Sequence, residues 1–191
     1  MKPSRVVLAL LLVASALVVS LAFADVAVPA KLQAQLIAKI AAFDRNFPGR
    51  AAGNALVLVV FKPGDAESTQ LAQQVGSELR DLSDVGGVAK TIDVIPFGGA
   101  ASLAAACKSR HAAIVYLSAS LDREVPAIAA ALAGGDVLSI GATAAHAESC
   151  TVVGFDLEGG KPKIVVNLTP ARAQNVSLKA DLLRLARIVG S

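Results

Sequence analysis

A histidine, a carboxylate and a thiol lie close together near residue 150. His146, Glu148 and Cys150 occupy alternate positions, and all three are residue types that bind transition metals. Nothing nearby supplies a further ligand, and the only other histidine, His111, directly follows Arg110 far away in the chain. A metal site is therefore one interpretation of this cluster, and unrelated side chains in one connecting segment are the other.

Hydroxyl side chains follow two of the apolar runs in the sequence. Ser118 and Ser120 come after one run and Thr143 after another. If these runs are parallel strands, the hydroxyls lie at the strand ends where open α/β sheets bind ligands, so they are candidates for binding a small polar solute. The alternative is that they cap the helices that follow.

Known catalytic and nucleotide-binding motifs find no match. No serine lies in a Gly-x-Ser-x-Gly elbow, and residues 62–65, Lys-Pro-Gly-Asp, are neither a dinucleotide fingerprint nor a phosphate loop. Asp65 and Glu67 would also oppose a phosphate at the start of the following helix. We therefore expect neither an enzyme nor a cofactor.

Two cysteines, Cys107 and Cys150, are the only ones in the chain. In an oxidising compartment they could form one intramolecular disulfide, which the chain-entropy model values at about 4 kcal/mol. Two buried free thiols are the alternative, because cysteine also behaves as a small apolar residue.

Apolar, β-prone runs alternate with helical patterns through most of the chain. Strands are expected at residues 55–61, 89–95, 112–117 and 137–140, and helices at 30–43, 67–82, 100–108 and 122–132. Strands without a polar face indicate a parallel sheet that is covered on both sides. The predicted fold is a three-layer α/β/α sandwich with a mostly parallel sheet.

The last forty residues depart from that alternation. Residues 152–157 and 163–168 flank a Gly-Gly turn and predict a hairpin that adds antiparallel edge strands to the sheet. A short helix over residues 171–174 should follow. A final helix capped by Ser177 should then bury a stripe that consists of Leu178, Leu182, Leu185 and Val189.

The first 24 residues have the pattern of a secretory signal peptide. Lys2 and Arg5 precede an apolar run, and Ala22-Phe23-Ala24 provides small residues where a signal peptidase would cleave, after Ala24. An uncleaved membrane anchor is the alternative. Residues 25–191 are then expected to form a single domain.

Loss of the signal lowers the formal charge from +3 to +1, since it carries Lys2 and Arg5. Aromatic residues make up only 4% of the sequence, and no basic run is present. A nucleic-acid-binding surface is therefore not expected.

Several segments in order along the chain resemble the YfiR/HmsC-like family of periplasmic regulators. The strongest are Gly154-Phe155-Asp156-Leu157-Glu158, Ile164-Val165-Val166-Asn167-Leu168, Ala171-Arg172 and residues 182–189, Leu-Leu-Arg-Leu-Ala-Arg-Ile-Val. The corner Phe43-Asp44-Arg45-Asn46 also resembles the family. The resemblance implies an α/β fold and a disulfide in this type of fold, although the pairing need not match.

The resemblance implies a protein-binding function. Related proteins bind the periplasmic part of a membrane signalling protein, typically a diguanylate cyclase or a sensor kinase, and hold it inactive, which controls cyclic di-GMP output. A homodimer is also compatible with such a protein. Candidate partner-binding residues are Asp44, Arg45, Arg172, Arg184 and Arg187, for which ordinary solvation is the alternative. The competing function is a periplasmic solute-binding module that uses the strand-end crevice with Ser118, Ser120 and Thr143.

Overall fold

The computed structural model describes residues 28–149 and 151–190. The predicted signal peptide, residues 1–24, lies outside these residues, and so does Cys150. The signal peptide and the single domain over residues 25–191 therefore remain predictions. In the described part of the chain, no helix combines the length and the apolar character that crossing a membrane requires.

The chain alternates between helices and strands, as the apolar runs predict. The helices are α1 (Ala30–Phe43), α2 (Phe47–Ala51), α3 (Ala66–Asp81), α4 (Ala100–Arg110), α5 (Val125–Leu132), α6 (Ala144–Ser149), α7 (Leu168–Ala173) and α8 (Ala180–Leu185). The strands are β1 (Asn54–Phe61), β2 (Ala89–Pro96), β3 (Ala112–Leu117), β4 (Leu138–Gly141), β5 (Val153–Glu158), β6 (Lys161–Asn167) and β7 (Arg187–Val189).

These strands form one seven-stranded sheet with the order β2-β1-β3-β4-β5-β6-β7. Every neighbouring pair is parallel except β5 and β6, which form the antiparallel hairpin. Helices cover both sides of the sheet. The predicted α/β sandwich with a mostly parallel sheet is confirmed.

Two apolar cores lie on opposite faces of the sheet, and the central strands contribute to both. All six residues of β3 are buried; Ile114 and Tyr116 belong to one core, and Val115 and Leu117 to the other. The alternation follows from strand geometry, in which successive side chains point to opposite faces. A strand that is apolar at every position must therefore be covered on both sides.

Two short helices occur in segments for which the sequence patterns predict no helix. The helix α2 contains Pro48 and Gly49 and is followed by its C-cap Ala52, which has a left-handed φ of 45°. Proline is compatible with the first turn of a helix, because the amide that it lacks would have no intrahelical partner there. Similarly, the alanine-rich connection before residue 150 forms α6.

The predicted final helix is wrong in its second half. The helix α8 ends at Leu185, and Val189 lies in β7, which pairs in parallel with β6. Leu182 is buried, whereas Leu185 is 67% exposed, so the predicted stripe does not continue along one helix. Because β7 covers β6, the hairpin is not at the edge of the sheet, and the edge strands are β2 and β7.

Candidate functional site

The corner between α1 and α2 is built around a buried carboxylate. Asp44 accepts hydrogen bonds from its neighbour Asn46 N at 3.1 Å and from Ser177 N at 2.9 Å. Its Oδ2 also lies 2.5 Å from Arg50 Nη1. The Asp44 side chain is completely buried and that of Arg50 is 2% exposed. This carboxylate therefore has a structural role, and the partner contact predicted for it stays untested.

The remaining donors of Arg50 reach two other segments. Its Nε lies 2.8 Å from Oδ1 of Asp136, and its Nη2 donates to the backbone oxygen of Asn175 at 2.9 Å. One guanidinium thus connects the end of α1, the loop before β4 and the loop after α7. All of its hydrogen-bonding edges are used, as the burial of a charge requires.

Arg45 has a different environment from its neighbour Asp44. Its side chain is exposed, and the closest acceptors of Nη1 are Ser177 Oγ at 3.4 Å and Leu178 O at 3.5 Å. Its backbone N–H donates to Ser177 O at 2.9 Å. The backbone holds the α1 corner against the segment before α8, while the guanidinium stays accessible.

The three arginines near the C-terminus lie in unlike surroundings. Arg172 is exposed in the last turn of α7. The Arg184 side chain is 79% exposed and lies 3.7 Å from Asp181. Arg187 in β7 lies 2.7 Å from Glu148 and is also close to two further carboxylates, Asp156 at 2.9 Å and Glu158 at 3.7 Å.

The carboxylates Asp156 and Glu158 thus lie beside β7 rather than on an open edge. Hydrogen bonds to Glu148, the larger effect, and to Asp156 raise the pKa of the Arg187 guanidinium. Arg187 connects α6 and β5 to the last strand. It is a fixed part of the surface, in contrast to Arg172 and Arg184.

Two large apolar side chains at the C-terminal edge are exposed to solvent. Leu185, the last residue of α8, is 67% exposed, and Ile188, the middle residue of β7, is 42% exposed. Ile188 lies in the edge strand β7, and Leu185 lies two residues before this strand. The outer side of β7 has no neighbouring strand in the sheet of the described residues. We call Leu185 and Ile188 the terminal patch. The sequence predicted burial for Leu185, so the pattern alone would not have identified it.

The three hydroxyls predicted at the strand ends have different surroundings. Ser118 is fully buried and its Oγ donates to Ser68 O at 2.7 Å. Ser120 has a left-handed φ of 67°, and its backbone oxygen accepts from Lys62 Nζ at 3.0 Å. The pKa of the Asp65 carboxyl is lowered by hydrogen bonds from Ser68 N and from the Ser120 side chain.

Of the three hydroxyl residues, Thr143 lines a cavity at the carboxyl ends of the strands. This cavity of about 230 Å³ is also bordered by Gln33, Glu67 and Gln74. The Thr143 hydroxyl accepts from His146 N at 3.4 Å, at the start of α6. Ser118 has a partner inside the fold, which leaves Thr143 as the predicted ligand-binding hydroxyl nearest to an opening.

His146 is buried against the end of β4. Its exposure is 0%, and its ring contacts Gly141 so closely that a Cβ at that position would collide with it. Nε2 lies 3.2 Å from Asp122 Oδ1, but neither ring nitrogen has a hydrogen bond of good geometry among the described residues. Burial lowers the pKa of His146 and the nearby Asp122 carboxylate raises it, with burial the larger effect.

For the metal interpretation of residues 146–150, the described residues provide no group of ligand side chains that supports it. In residues 28–149 and 151–190, no cluster of three or more histidine, cysteine, aspartate and glutamate side chains could hold an ion. Glu148 is instead paired with Arg187.

Cys107 is buried on α4 and has no disulfide partner among the described residues, and burial raises the pKa of its thiol to about 11. Cys150 lies outside the described residues, so a disulfide between the two stays a prediction.

A larger cavity, about 550 Å³, lies at the opposite ends of the strands, where β3 and β4 begin. It opens between the C-terminal ends of α4 and α5, and Cys107 is part of its lining. Sequence patterns do not predict this cavity, because the two helices that border it are separated by β3 in the chain.

Comparison with protein families gives one match, to a model described as YfiR/HmsC-like, over residues 30–187. The matched range includes α1 through α8 and the first residue of β7. No curated protein matches the sequence.

Among solved structures, the fold is similar to an ABC domain from Streptococcus pneumonia in complex with L-Trp, with a TM-score of 0.62 and 11% identity over 84% of this chain and 62% of that one. A conserved domain protein from Vibrio cholerae O1 biovar El Tor gives a TM-score of 0.56 and 14% identity over 86% of this chain and 60% of that one.

A substrate-binding protein with adhesive properties from Clostridium difficile, in its ligand-free, open form, gives a TM-score of 0.55 and 10% identity over 72% of this chain and 55% of that one. The matches thus span between 55% and 62% of the length of these three structures. At such low identities the likeness shows the fold alone.

Proposed function

The chain belongs to the YfiR/HmsC-like family, and we propose from this membership that it is a non-enzymatic periplasmic regulator. It would bind the periplasmic part of a membrane signalling protein, typically a diguanylate cyclase, and repress it. The N-terminal 24 residues would direct it to the periplasm and be removed after Ala24. The family match over residues 30–187 is the observation that carries this proposal.

The terminal patch supports a protein-binding function. Leu185 and Ile188 are the two large hydrophobic side chains exposed in the described part of the chain. Leu185 lies near the end of the family match and Ile188 lies one residue beyond it, in the edge strand β7. Apolar side chains at a sheet edge are suited to contact another protein, since they lose contact with water and the edge backbone offers unpaired groups.

Exposed cations lie along the same C-terminal segment. Arg172 on α7 and Arg184 on α8 are free to pair with acidic groups of a partner, and Arg184 would exchange only a weak contact with Asp181. Arg45 lies against Ser177, just before α8. The residues that we propose for partner binding are therefore those of the terminal patch together with Arg45, Arg172 and Arg184.

The test is repression of a cyclase by the purified protein. Membrane proteins that are retained by the secreted mature chain would be identified by mass spectrometry, and the cyclic di-GMP output of a retained cyclase would be measured with increasing amounts of the protein. We expect a saturable fall in output. A cyclase that binds but keeps its full output would contradict repression, and a protein that stays in the cytoplasm would contradict the location. A second copy of the chain on the same face, detected by sedimentation, would indicate a homodimer instead.

Binding of a small solute is a second candidate, which the similar folds favour. Of the similar structures, one is in complex with L-Trp and another is a substrate-binding protein. For this chain, the cavity with Thr143 at the strand ends would be the site, with Gln33 and Glu67 beside it. A thermal-shift screen of small polar solutes against wild type and Thr143→Val tests this candidate: a shift that is lost in the variant would support it, and identical shifts would contradict it.

A further inference from the structure

The cavity between α4 and α5 has the size and shape of a small-molecule site. Its volume of about 550 Å³ lies within the range of roughly 300–1,000 Å³ typical of ligand pockets. It is open to solvent and lies at the ends of the strands where β3 and β4 begin. We call it the α4–α5 groove.

The groove exists because short side chains border it. Ala104 and Ala105 line it from α4, and Ala131 and Ala133 line it from the end of α5. Larger residues at such positions would fill the space between two packed helices, as they do in ordinary helix interfaces. A single leucine at one of these alanines would therefore occupy much of the mouth.

The floor of the groove is apolar. Cys107, Leu132 and Val137 belong to the apolar core on this face of the sheet, and they are 6%, 3% and 2% exposed. An apolar ligand body would replace water against this floor, which is favourable in proportion to the apolar area covered.

The charges around the groove are unequally compensated. Asp136 accepts hydrogen bonds from Arg50 Nε at 2.8 Å and from Asn175 Nδ2 at 3.1 Å, and it shares the charge of Arg50 with Asp44. Lys108 is exposed at the groove and takes part in no ion pair among the residues that the structure describes. Arg110, two residues further on, is by contrast 2.8 Å from Asp93.

His111 is a second polar residue at the rim of the groove. His111 has a left-handed φ of 54°, which is uncommon for a residue other than glycine, and it ends α4 beside Lys108. Its imidazole lines the groove and can donate a hydrogen bond. The polar side of the groove thus offers one unpaired cation and one donor next to an apolar floor.

We propose that the α4–α5 groove binds a small organic carboxylate with an apolar body, whose carboxylate pairs with Lys108 while the body covers Cys107 and Leu132. This goes beyond regulation of a membrane partner, because the groove is separate from the terminal patch. Either site can be lost by substitution without the other.

Two probes test the proposal, octanoate and 3-phenylpropionate, each titrated into the 15N-labelled mature protein. Saturable shifts of the Gly134 and Gly135 amide signals are expected, because both residues line the groove. Octan-1-ol, which has the apolar body without the charge, should bind more weakly. Absence of a saturable shift with both carboxylates overturns the proposal.

Three variants test whether the probes bind in the α4–α5 groove or elsewhere on the protein. Lys108→Gln should weaken binding about fivefold, as expected for one solvent-accessible ion pair, and Ala131→Leu should abolish it by filling the groove. Lys39→Gln, an exposed lysine on α1, is the matched control and should bind as wild type. Equal affinity of wild type and Lys108→Gln, or equal binding of octanol and octanoate, would overturn the assignment. Amide signals outside the groove report whether Ala131→Leu is folded.

Discussion

Asp44 and Arg50 form a buried ion pair that joins three distant parts of the chain. Their closest atoms are 2.5 Å apart, and at most 2% of either side chain is exposed. Because Asp44 also accepts from Ser177 N and Arg50 donates to Asn175 O, the pair fixes the loop between α7 and α8 against the α1 corner. The face proposed to bind a partner depends on this connection for its shape.

Removal of one member of the pair should strongly destabilise the protein. Asp44→Ala leaves the Arg50 charge buried without its main partner, and we expect it to lower the free energy of unfolding by about 3–5 kcal/mol. The double variant Asp44→Ala/Arg50→Met should recover part of this loss. Urea unfolding measures both. Asp181→Ala, which loses only the exposed contact with Arg184, is the control, and an equal effect of the two aspartate substitutions would contradict a structural role of Asp44.

Charge in the terminal patch should disrupt partner binding but not folding. Leu185→Asp and Ile188→Asp place a charge on side chains that are 67% and 42% exposed, so the free energy of unfolding should change little while retention of the membrane partner is lost. The control is Gln73→Asp, which adds the same charge to an exposed position of α3. Normal retention of the partner by the Leu185 and Ile188 variants would remove the terminal patch from the binding face.

The terminal arginines should contribute to binding to different extents. Replacing Arg172, Arg184 and Arg187 together with alanine should weaken association while secretion and folding persist. Of the single variants, Arg187→Ala should also lower stability, by about 1 kcal/mol or less, since its side chain is one-third exposed and contacts Glu148 and Asp156. Co-precipitation at low and high salt measures the binding effect. Binding that is unchanged in the triple variant would exclude these residues.

Acid should destabilise the protein through His146. Burial lowers the pKa of this histidine in the folded protein, whereas the unfolded chain binds the proton near the ordinary value of 6.5. The unfolded state therefore binds more protons as the pH falls below about 6.5, and the free energy of unfolding should decrease until the folded protein also binds the proton.

Urea unfolding between pH 7.5 and pH 5.5 measures this dependence on acid. His146→Gln should reduce the slope of stability against pH. A slope that is the same in wild type and His146→Gln would show that His146 is not its source.

Cys107 should react slowly with alkylating reagents in the folded protein. Its pKa is raised to about 11 and the residue is buried, so little thiolate is accessible at pH 8. In a Cys150→Ser variant, iodoacetamide should label Cys107 rapidly only after unfolding. Rapid labelling of the native variant would contradict its burial. In unfolded wild type kept without reductant, two free thiols would exclude the predicted bridge and none would establish it.

The central part of the fold could be read from local patterns. Residues 112–117 were predicted as a strand and form β3 with the same bounds, because an uninterrupted β-prone run can be buried on both faces. Residues 30–43 likewise form α1, since their apolar residues recur on one side of a helix. Each of these signals lies within a single segment of sequence.

The site residues were predicted by type, and the sequence could not assign their surroundings. Asp44 and Arg45 are adjacent, yet one is buried and the other exposed, because only Asp44 faces Arg50 and the amide of Ser177. Ser118 and Thr143 both follow strands, but the Ser118 hydroxyl donates to Ser68 O on α3 and is buried, whereas Thr143 lines a cavity. No local pattern encodes a partner that lies a hundred residues away.

The sequence by itself determined the alternation of helices and strands, the parallel sheet with two buried faces and the family. Only the tertiary structure decided that residues 187–189 are a strand, that the terminal patch is exposed and that a groove lies between α4 and α5. A three-residue strand exists because β6 provides its hydrogen-bonding partner, and a groove exists because two helices from either side of β3 in the chain border it with alanines. Local preferences select the elements, and contacts between elements determine which side chains remain available for binding.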